Sequence, residues 1–193
     1  MYIINIIKEE LTNLNENNIL NEIENELEKV IYENIDVFHG SDRKFDTFDI
    51  NKIGTGDGKS LGGWGIYFSD SNEVSQRYYT SNGFLGEFQI KNGNYFDLDA
   101  PIEDGNRMIK KLQQLEIDEN QIEEFKINYI DQSEYYGDVN NKQAYDWLAY
   151  TLANEKEASM FLKSIGYIGN TFMDKWNRDA RNYVIFDTNS IIY

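Results

Sequence analysis

The stretch that decides the fold reads Gly-Gly-Trp-Gly-Ile-Tyr-Phe-Ser-Asp over residues 62–70. Three of its glycines precede the apolar run Ile-Tyr-Phe, and Ser71 then offers a hydroxyl of the kind that caps a helix. The pattern predicts a strand over residues 65–69 and a helix that begins near Ser71. Residues three and four apart share a helix face. That face would carry Ser75, Tyr78 and Tyr79.

Strands are also predicted on both sides of this stretch. Residues 35–38 form a short β-type run that ends at His39. Residues 86–91 alternate apolar and polar, and Asn92-Gly93 predicts a tight hairpin turn into residues 95–99. The C-terminal part gives three more strand-like runs: 167–172, 183–186 and 191–193.

Helical periodicity surrounds these strands. Apolar residues at 3-4-7 spacing predict two amphipathic helices within residues 1–34 and four more within residues 103–164, with Asp118 as a cap and Gly166 as a terminator. Helices and strands come in separate runs, which predicts an α+β fold. The absence of a repeat or linker predicts a single domain over 1–193, with an N-terminal helical extension and a helical insertion.

Composition excludes several chemistries. The 193 residues contain no cysteine and one histidine, which argues against disulfide scaffolds, thiol nucleophiles and Cys- or multi-His metal sites. The net charge of -16 makes non-specific nucleic-acid binding unfavourable and leaves basic protein surfaces, or a small anion in a shielded pocket, as partners. No apolar run reaches the roughly 18 residues of a membrane helix. We therefore expect a cytoplasmic protein without a membrane partner.

A few side chains are candidates for chemistry. His39 precedes Gly40, whose missing Cβ lets a ligand approach the backbone. The Tyr67 ring and the tyrosine rings of the predicted helix would sandwich a flat aromatic amide, and the Ser75 hydroxyl would bind its carboxamide group. For all of these, a purely structural role is the alternative. Residues 58–60 read Gly-Lys-Ser, but Ile53 stands where a phosphate-binding loop requires glycine, so residues 52–60 are better read as a flap over a site.

Together these segments resemble the ADP-ribosyltransferase fold of the His-Tyr-Glu class, which includes poly(ADP-ribose) polymerases and diphtheria-toxin-type enzymes. Residues 63–70, followed by Ser75 and Tyr78, are similar to the polymerase signature Gly-x-Gly-Ile-Tyr-Phe with its later Ser and Tyr. Residues 37–83 are closer still to ADP-ribosyltransferase domains embedded in large polyvalent proteins of phages and mobile elements. The resemblance implies an ADP-ribosyltransferase-like split β-sandwich.

The resemblance also implies a binding role for each matching residue. His39 would hydrogen-bond the adenosine ribose of NAD. Gly40 and Ser75 would bind the nicotinamide carboxamide, and Tyr67 and Tyr78 would stack about the ring.

Further NAD-binding residues follow from the same resemblance. The diphosphate of NAD needs a local cation in so acidic a chain, and Arg43 and Lys44 are the nearest to the His-Gly-Ser turn. Ser41, within that turn, and Tyr79, beside Tyr78, complete the cofactor-binding candidates.

The final predicted strand departs from the class. The class begins this strand with a catalytic Glu, whereas Asn182 stands there in the run 181–187. An amide accepts a hydrogen bond from the ribose 2′-OH but carries no charge to stabilise a developing cation. Asp179 precedes the strand and is the acid that could take over, while strand alternation turns Asp187 to the opposite face.

These implications favour an NAD-dependent mono-ADP-ribosyltransferase that modifies a host macromolecule, preferably a protein. Relatives in phages and mobile elements suggest an effector, such as an inhibitor of CRISPR defence. The catalytic residues would be His39, Tyr67, Asn182 and Asp179. Two alternatives stay open. One is an NAD glycohydrolase toxin, and the other is a Glu-less pseudoenzyme whose acidic surface binds or mimics a partner.

Overall fold

The computed structural model describes residues 34–54, 61–78, 83–133, 137 and 139–192. The predicted N-terminal helices lie outside the described residues. Seven strands of the described chain form one sheet, and every strand predicted from the sequence is present. They are β1 (Ile35–Ser41), β2 (Ile66–Ser69), β3 (Phe84–Ile90), β4 (Tyr95–Asp97), β5 (Gly169–Met173), β6 (Arg181–Ile185) and β7 (Ile191–Ile192).

The sheet curls strongly. Its strand order is β4-β5-β6-β2-β1-β3-β7, with β4 and β5 parallel and the other neighbours antiparallel. Five strand spacings separate β3 from β4 in this order, about 24 Å in a flat sheet. The link over residues 91–94 spans at most about 18 Å. The two strands must therefore approach each other, and Tyr95 packs against the same buried cluster as Ile90.

The hairpin predicted at Asn92-Gly93 is wrong. β3 pairs with β1 and β7, whereas β4 lies at the other edge beside β5. The link is held instead by the segment before β5, because Ile168 N donates to Asn94 O at 2.9 Å. A Cβ on Gly93 would come within 2.7 Å of the Ile168 side chain. Long-range pairing thus overrides a local turn signal.

Helices cover one face of the sheet. They are α1 (Asn72–Gln76), α2 (Gly105–Gln114), α3 (Glu119–Phe125), α4 (Asn141–Thr151) and α5 (Glu155–Ser164), with a π-helical segment (Lys126–Asp131) that extends α3. The four helices predicted within residues 103–164 are confirmed. Asp118 caps α3, and Gly166 follows α5 with a φ of +95°. No helix among the described residues is long and apolar enough to cross a membrane.

The two faces of the sheet bury different clusters. Phe96 and Phe172 pack with α2 to α5 on what we call the helical face. Val37, Phe68 and Ile185 belong to a second cluster on the opposite face, which we call the aromatic face. The pattern follows from strand alternation, which sends successive side chains to opposite faces. A mixed α/β domain results, and the split β-sandwich stays a prediction.

The sheet is thinly joined between β1 and β2. These strands meet at a single pair, Phe38 with Ser69, whereas β1 pairs with β3 along all seven of its residues. This junction is where the candidate functional residues gather.

Candidate active site

His39 lies inside β1 rather than at its end, because pairing with β3 continues to Ser41. Its Nδ1 lies 2.7 Å from the Tyr67 carbonyl oxygen. Since a carbonyl only accepts, Nδ1 carries the proton and Nε2 is the acceptor of the neutral ring. Burial lowers the pKa of His39 despite this bond, so the ring is neutral at pH 7. Three phenylalanine rings approach it to 5.0–5.6 Å on the aromatic face: Phe45, Phe48 and Phe68.

Gly40 is the point at which α1 contacts β1. A Cβ there would lie 2.0 Å from the Ser75 carbonyl oxygen and 3.4 Å from Tyr78 Cβ, so packing alone requires glycine. Ser75 is buried, and its Oγ donates to the Phe38 carbonyl at 3.0 Å. Carbonyls two residues apart in a strand point to the same side. The Gly40 carbonyl is therefore directed as that of Phe38 is, toward α1.

The Tyr67 hydroxyl is bound to the glycine loop that precedes β2. It donates to the Gly63 carbonyl at 2.7 Å and accepts from Gly62 N at 3.0 Å. Burial raises the pKa of Tyr67 far above its ordinary value, so the hydroxyl stays protonated. Tyr145 holds the same loop from α4 by accepting from Trp64 N at 3.0 Å. Gly63 has a φ of +90°, and a Cβ on it would strike the Tyr145 ring.

The register of β2 and β6 brings Tyr67 and Asn182 to one face. Tyr67 lies opposite Val184, and Ser69 lies opposite Asn182. Cross-strand partners share a face, and so do residues two apart, so Tyr67 and Asn182 both project to the helical face. Asn182 is 8% exposed. His39 packs on the aromatic face, so the junction of β1 and β2 separates its ring from these two side chains.

The turn between β5 and β6, residues 174–180, is held by a set of hydrogen bonds to Asp174 that the sequence analysis did not predict. We call the contact of Arg77 with Asp174, together with these bonds, the clasp. Asp174 is 4% exposed, and its Oδ1 accepts from Arg77 Nη1 at 3.1 Å. It also accepts from Trp176 N at 3.0 Å and Asn177 N at 2.8 Å. Burial would raise the pKa of Asp174, but these hydrogen bonds and the Arg77 charge outweigh it and lower the pKa. An Asp followed by two such N–H donors is an Asx-type turn, the signal that could have found it.

Trp176 projects from the same turn. It is 67% exposed, and the Arg77 guanidinium lies 5.9 Å from its ring centroid. Arg77 follows α1 directly, so the clasp joins the helix that carries Ser75 to the turn that leads into Asn182.

The carboxylates near Asn182 differ in whether they already have a hydrogen-bond or ion-pair partner. Asp70 accepts from Arg181 N at 2.8 Å and is thereby tied to the start of β6. Asp187 is paired with Lys163 and lies beyond the end of β6. Asp179 is exposed, and within the described part of the chain nothing engages its carboxylate. A catalytic role for Asp179 stays a prediction.

The cations predicted to meet a diphosphate are at the surface. Arg43 is 88% exposed in its side chain and pairs with Asp42 at 3.6 Å, while its backbone N donates to Ser41 Oγ at 3.3 Å. Lys44 is exposed as well. Tyr79 and residues 55–60 of the predicted flap lie outside the described residues. Diphosphate binding by Arg43, Lys44 and Ser41 stays a prediction.

Comparison with known proteins gives one family. The family model described as ADP-ribosyltransferase in polyvalent proteins matches residues 33–191, a range that contains all the helices described above and the strands β1 to β6. Neither the curated proteins nor the solved structures gave a match.

Proposed function

The chain belongs to the family of ADP-ribosyltransferases in polyvalent proteins, and from this premise we propose that it transfers a single ADP-ribose from NAD to a macromolecule. One observation carries the proposal. Tyr67 and Asn182 share the helical face of the sheet, beside the contact of Gly40 with Ser75 and Tyr78. The resemblance implies that these positions would hold nicotinamide and the reacting ribose.

The residues at this contact fit a nicotinamide carboxamide. The Gly40 peptide carries one donor and one acceptor, and the Ser75 hydroxyl adds an acceptor lone pair beyond its bond to Phe38. The half-exposed Tyr78 ring offers a flat apolar surface. We propose that these groups hold the nicotinamide end of NAD, with the rigidly bonded Tyr67 ring beside it.

The chemistry of NAD lies in its glycosidic bond. Nicotinamide leaves with the electron pair of the bond to ribose C1′, while the acceptor nucleophile bonds to C1′ and gives up its proton. Asn182 would accept from the ribose 2′-OH through its side-chain oxygen and so orient the ribose. As a neutral group it stabilises positive charge less than a carboxylate would. This supports single transfer rather than polymer synthesis.

His39 would act at the other end of NAD. Because Nδ1 is committed to the Tyr67 carbonyl, Nε2 is the atom available to accept from a ribose hydroxyl. The neutral ring requires no counter-ion, which suits its place among phenylalanine rings. We therefore assign His39 to binding rather than to proton transfer.

We propose that the acceptor is a host protein and that the chain is an effector of a phage or mobile element. Its family is defined in polyvalent proteins, and the net charge of -16 favours association with a basic surface. We also propose a location in the host cytoplasm, where such a target and NAD are both present.

A second candidate is a pseudoenzyme that binds a partner without turnover. Asn182 lacks a charge, and the neighbouring carboxylates of Asp70 and Asp174 are already hydrogen-bonded to Arg181 N and Arg77. Of the acids around Asn182 that the structure describes, Asp179 alone would then be left to supply a carboxylate.

Incubation with labelled NAD and host lysate tests the proposal. We expect a labelled protein band that is lost in Tyr78→Ala and His39→Ala. Ile127→Ala, which removes a side chain as exposed as Tyr78 from the helical region, should keep the band. Nicotinamide release without a labelled band would identify a glycohydrolase. NAD left intact, with a partner still retained, would identify the pseudoenzyme.

A further inference from the structure

A groove in the helical region stands apart from the candidate active site. It lies between α4 on one side and α3 with the π-helical segment on the other, and its volume is about 470 Å³. The residues used below are Glu124, Tyr129, Asp146, Trp147, Tyr150 and Thr151.

Helical periodicity explains why these side chains meet. Asp146, Trp147, Tyr150 and Thr151 recur at three- and four-residue spacing along one strip of the α4 surface. This strip borders the buried side of the helix, which contains Ala144 and Leu148. The π-helical segment directly follows α3, and π-helical turns often mark functional sites.

Aromatic rings form the wall of the groove. Phe125, beneath it, stacks on Tyr129 at 5.5 Å and lies 4.4 Å from the Trp147 ring. Tyr150 stands at the rim and is 84% exposed, although most large side chains of this region are buried. An exposed ring beside packed rings is a surface on which a cation gains by lying over the ring face.

Carboxylates complete the lining. Glu124 and Asp146 face the groove, and no Lys or Arg is among the residues that line it. Lys142 binds Asp146 at 2.5 Å from outside the lining. Thr151 Oγ1 is buried and has no hydrogen-bond partner among the described residues.

We propose that this groove binds a basic segment of a protein partner, with an arginine or lysine side chain over the rings of Tyr129 and Tyr150 and within reach of Glu124. Charge complementarity selects this occupant, because acidic groups and ring faces both favour a cation and the whole chain carries a charge of -16. The inference goes beyond the proposed function and does not depend on it, since the groove uses none of the candidate active-site residues.

Fluorescence anisotropy with labelled hexa-arginine, on the full chain at 150 mM salt, tests the proposal. We expect saturable binding that hexa-glutamate lacks. Tyr150→Ala should weaken it by roughly two- to fivefold, the size of a cation–π contact at an exposed ring. Glu124→Gln should weaken it by roughly two- to fivefold.

Two matched control variants distinguish binding in the groove from non-specific attraction to the net negative charge of the chain. Glu123→Gln removes the same charge from the neighbouring residue of α3, which does not line the groove, and should leave the affinity within error. Leu115→Ala removes an exposed apolar side chain elsewhere and should do the same. A thermal melt checks that each variant is folded.

Three outcomes would overturn the proposal. The first is an equal loss of affinity in Glu123→Gln and Glu124→Gln, which would reduce binding to the net charge. The second is no binding of hexa-arginine at 150 mM salt. The third is a dimer in sedimentation that Tyr150→Ala dissociates, which would make a second copy of this chain the occupant.

Discussion

At the scale of the residue, Asn182 limits the catalysis that the proposed active site can perform. Its side chain shares a face with Tyr67 but brings no charge to a reaction that develops positive charge. The contribution of this position to catalysis is therefore limited to what an amide can do, which is to accept a hydrogen bond from the ribose and orient it.

Substitution of Asn182 separates orientation from electrostatics. Asn182→Glu should raise nicotinamide release by roughly tenfold or more, because a carboxylate stabilises the ribosyl cation. Asn182→Ala should reduce turnover more than NAD affinity, since the amide orients the ribose. Release rates and calorimetric NAD binding measure the two effects. Asn177→Glu, which adds the same charge in the 174–180 turn, is the control, and an equal rise in that variant would contradict a specific role.

His39 makes stability depend on pH. Burial lowers its pKa below the ordinary value of 6.5, so the unfolded chain binds a proton more readily than the folded one. The stability that the neutral His39 ring contributes is fully present above pH 6.5. It is lost as the pH falls through the lowered pKa of His39 in the folded protein. Urea unfolding at pH 7.5 and 5.5 should show a larger loss in the natural chain than in His39→Gln. An identical pH slope in both would show that His39 is not buried in this way.

At the scale of elements, the clasp of Arg77 and Asp174 joins the end of α1 to the turn before β6. Three donors converge on one buried carboxylate oxygen, and two of them are backbone N–H groups of the turn. The two backbone bonds therefore shape the 174–180 turn, and the bond to Arg77 holds this turn beside the helix that carries Ser75.

Removing the clasp should loosen both elements. Asp174→Ala leaves two backbone donors and the Arg77 guanidinium without their acceptor, and we expect a loss of roughly 1–3 kcal/mol in the free energy of unfolding. Asp179→Ala, in the same turn but exposed, should change stability by less than about 0.5 kcal/mol. Denaturant titration measures both. Equal effects would mean that the turn holds its shape without Asp174.

At the scale of the whole described fold, Tyr145 connects the helices to the sheet. Its hydroxyl contacts Trp64 N at 3.0 Å, the Glu155 carbonyl at 2.9 Å and Ser159 Oγ at 2.9 Å. The glycine loop that fastens Tyr67 is thereby held from α4 and α5. The helices of residues 103–164 thus support the candidate site, and the family match includes them.

Tyr145→Phe tests this connection with the loss of one oxygen atom. Buried partners would be left unsatisfied, so we expect destabilisation by roughly 1–3 kcal/mol and weaker NAD binding through a looser Tyr67. Tyr150→Phe changes the same atom on the exposed side of α4 and should have little effect on either. Thermal unfolding and calorimetry provide the measurements, and unchanged NAD affinity in Tyr145→Phe would separate the loop from the site.

The sequence by itself determined what depends on neighbours along the chain. Ser71 caps α1, Asp118 caps α3 and Gly166 follows α5, because caps and periodicity act within a few residues. The strands over Tyr67 and Asn182 were predictable for the same reason, and the segments around His39, Tyr67 and Ser75 were together enough to identify the family.

Only the tertiary structure decided how distant segments combine. The parallel pairing of β4 with β5 replaced the hairpin at Asn92-Gly93, and the register of β2 with β6 placed Tyr67 and Asn182 on one face. Arg77 and Asp174 meet although they are 97 residues apart. Such contacts depend on the register and curl of a sheet whose strands come from both ends of the described chain, and no short window of sequence contains that information.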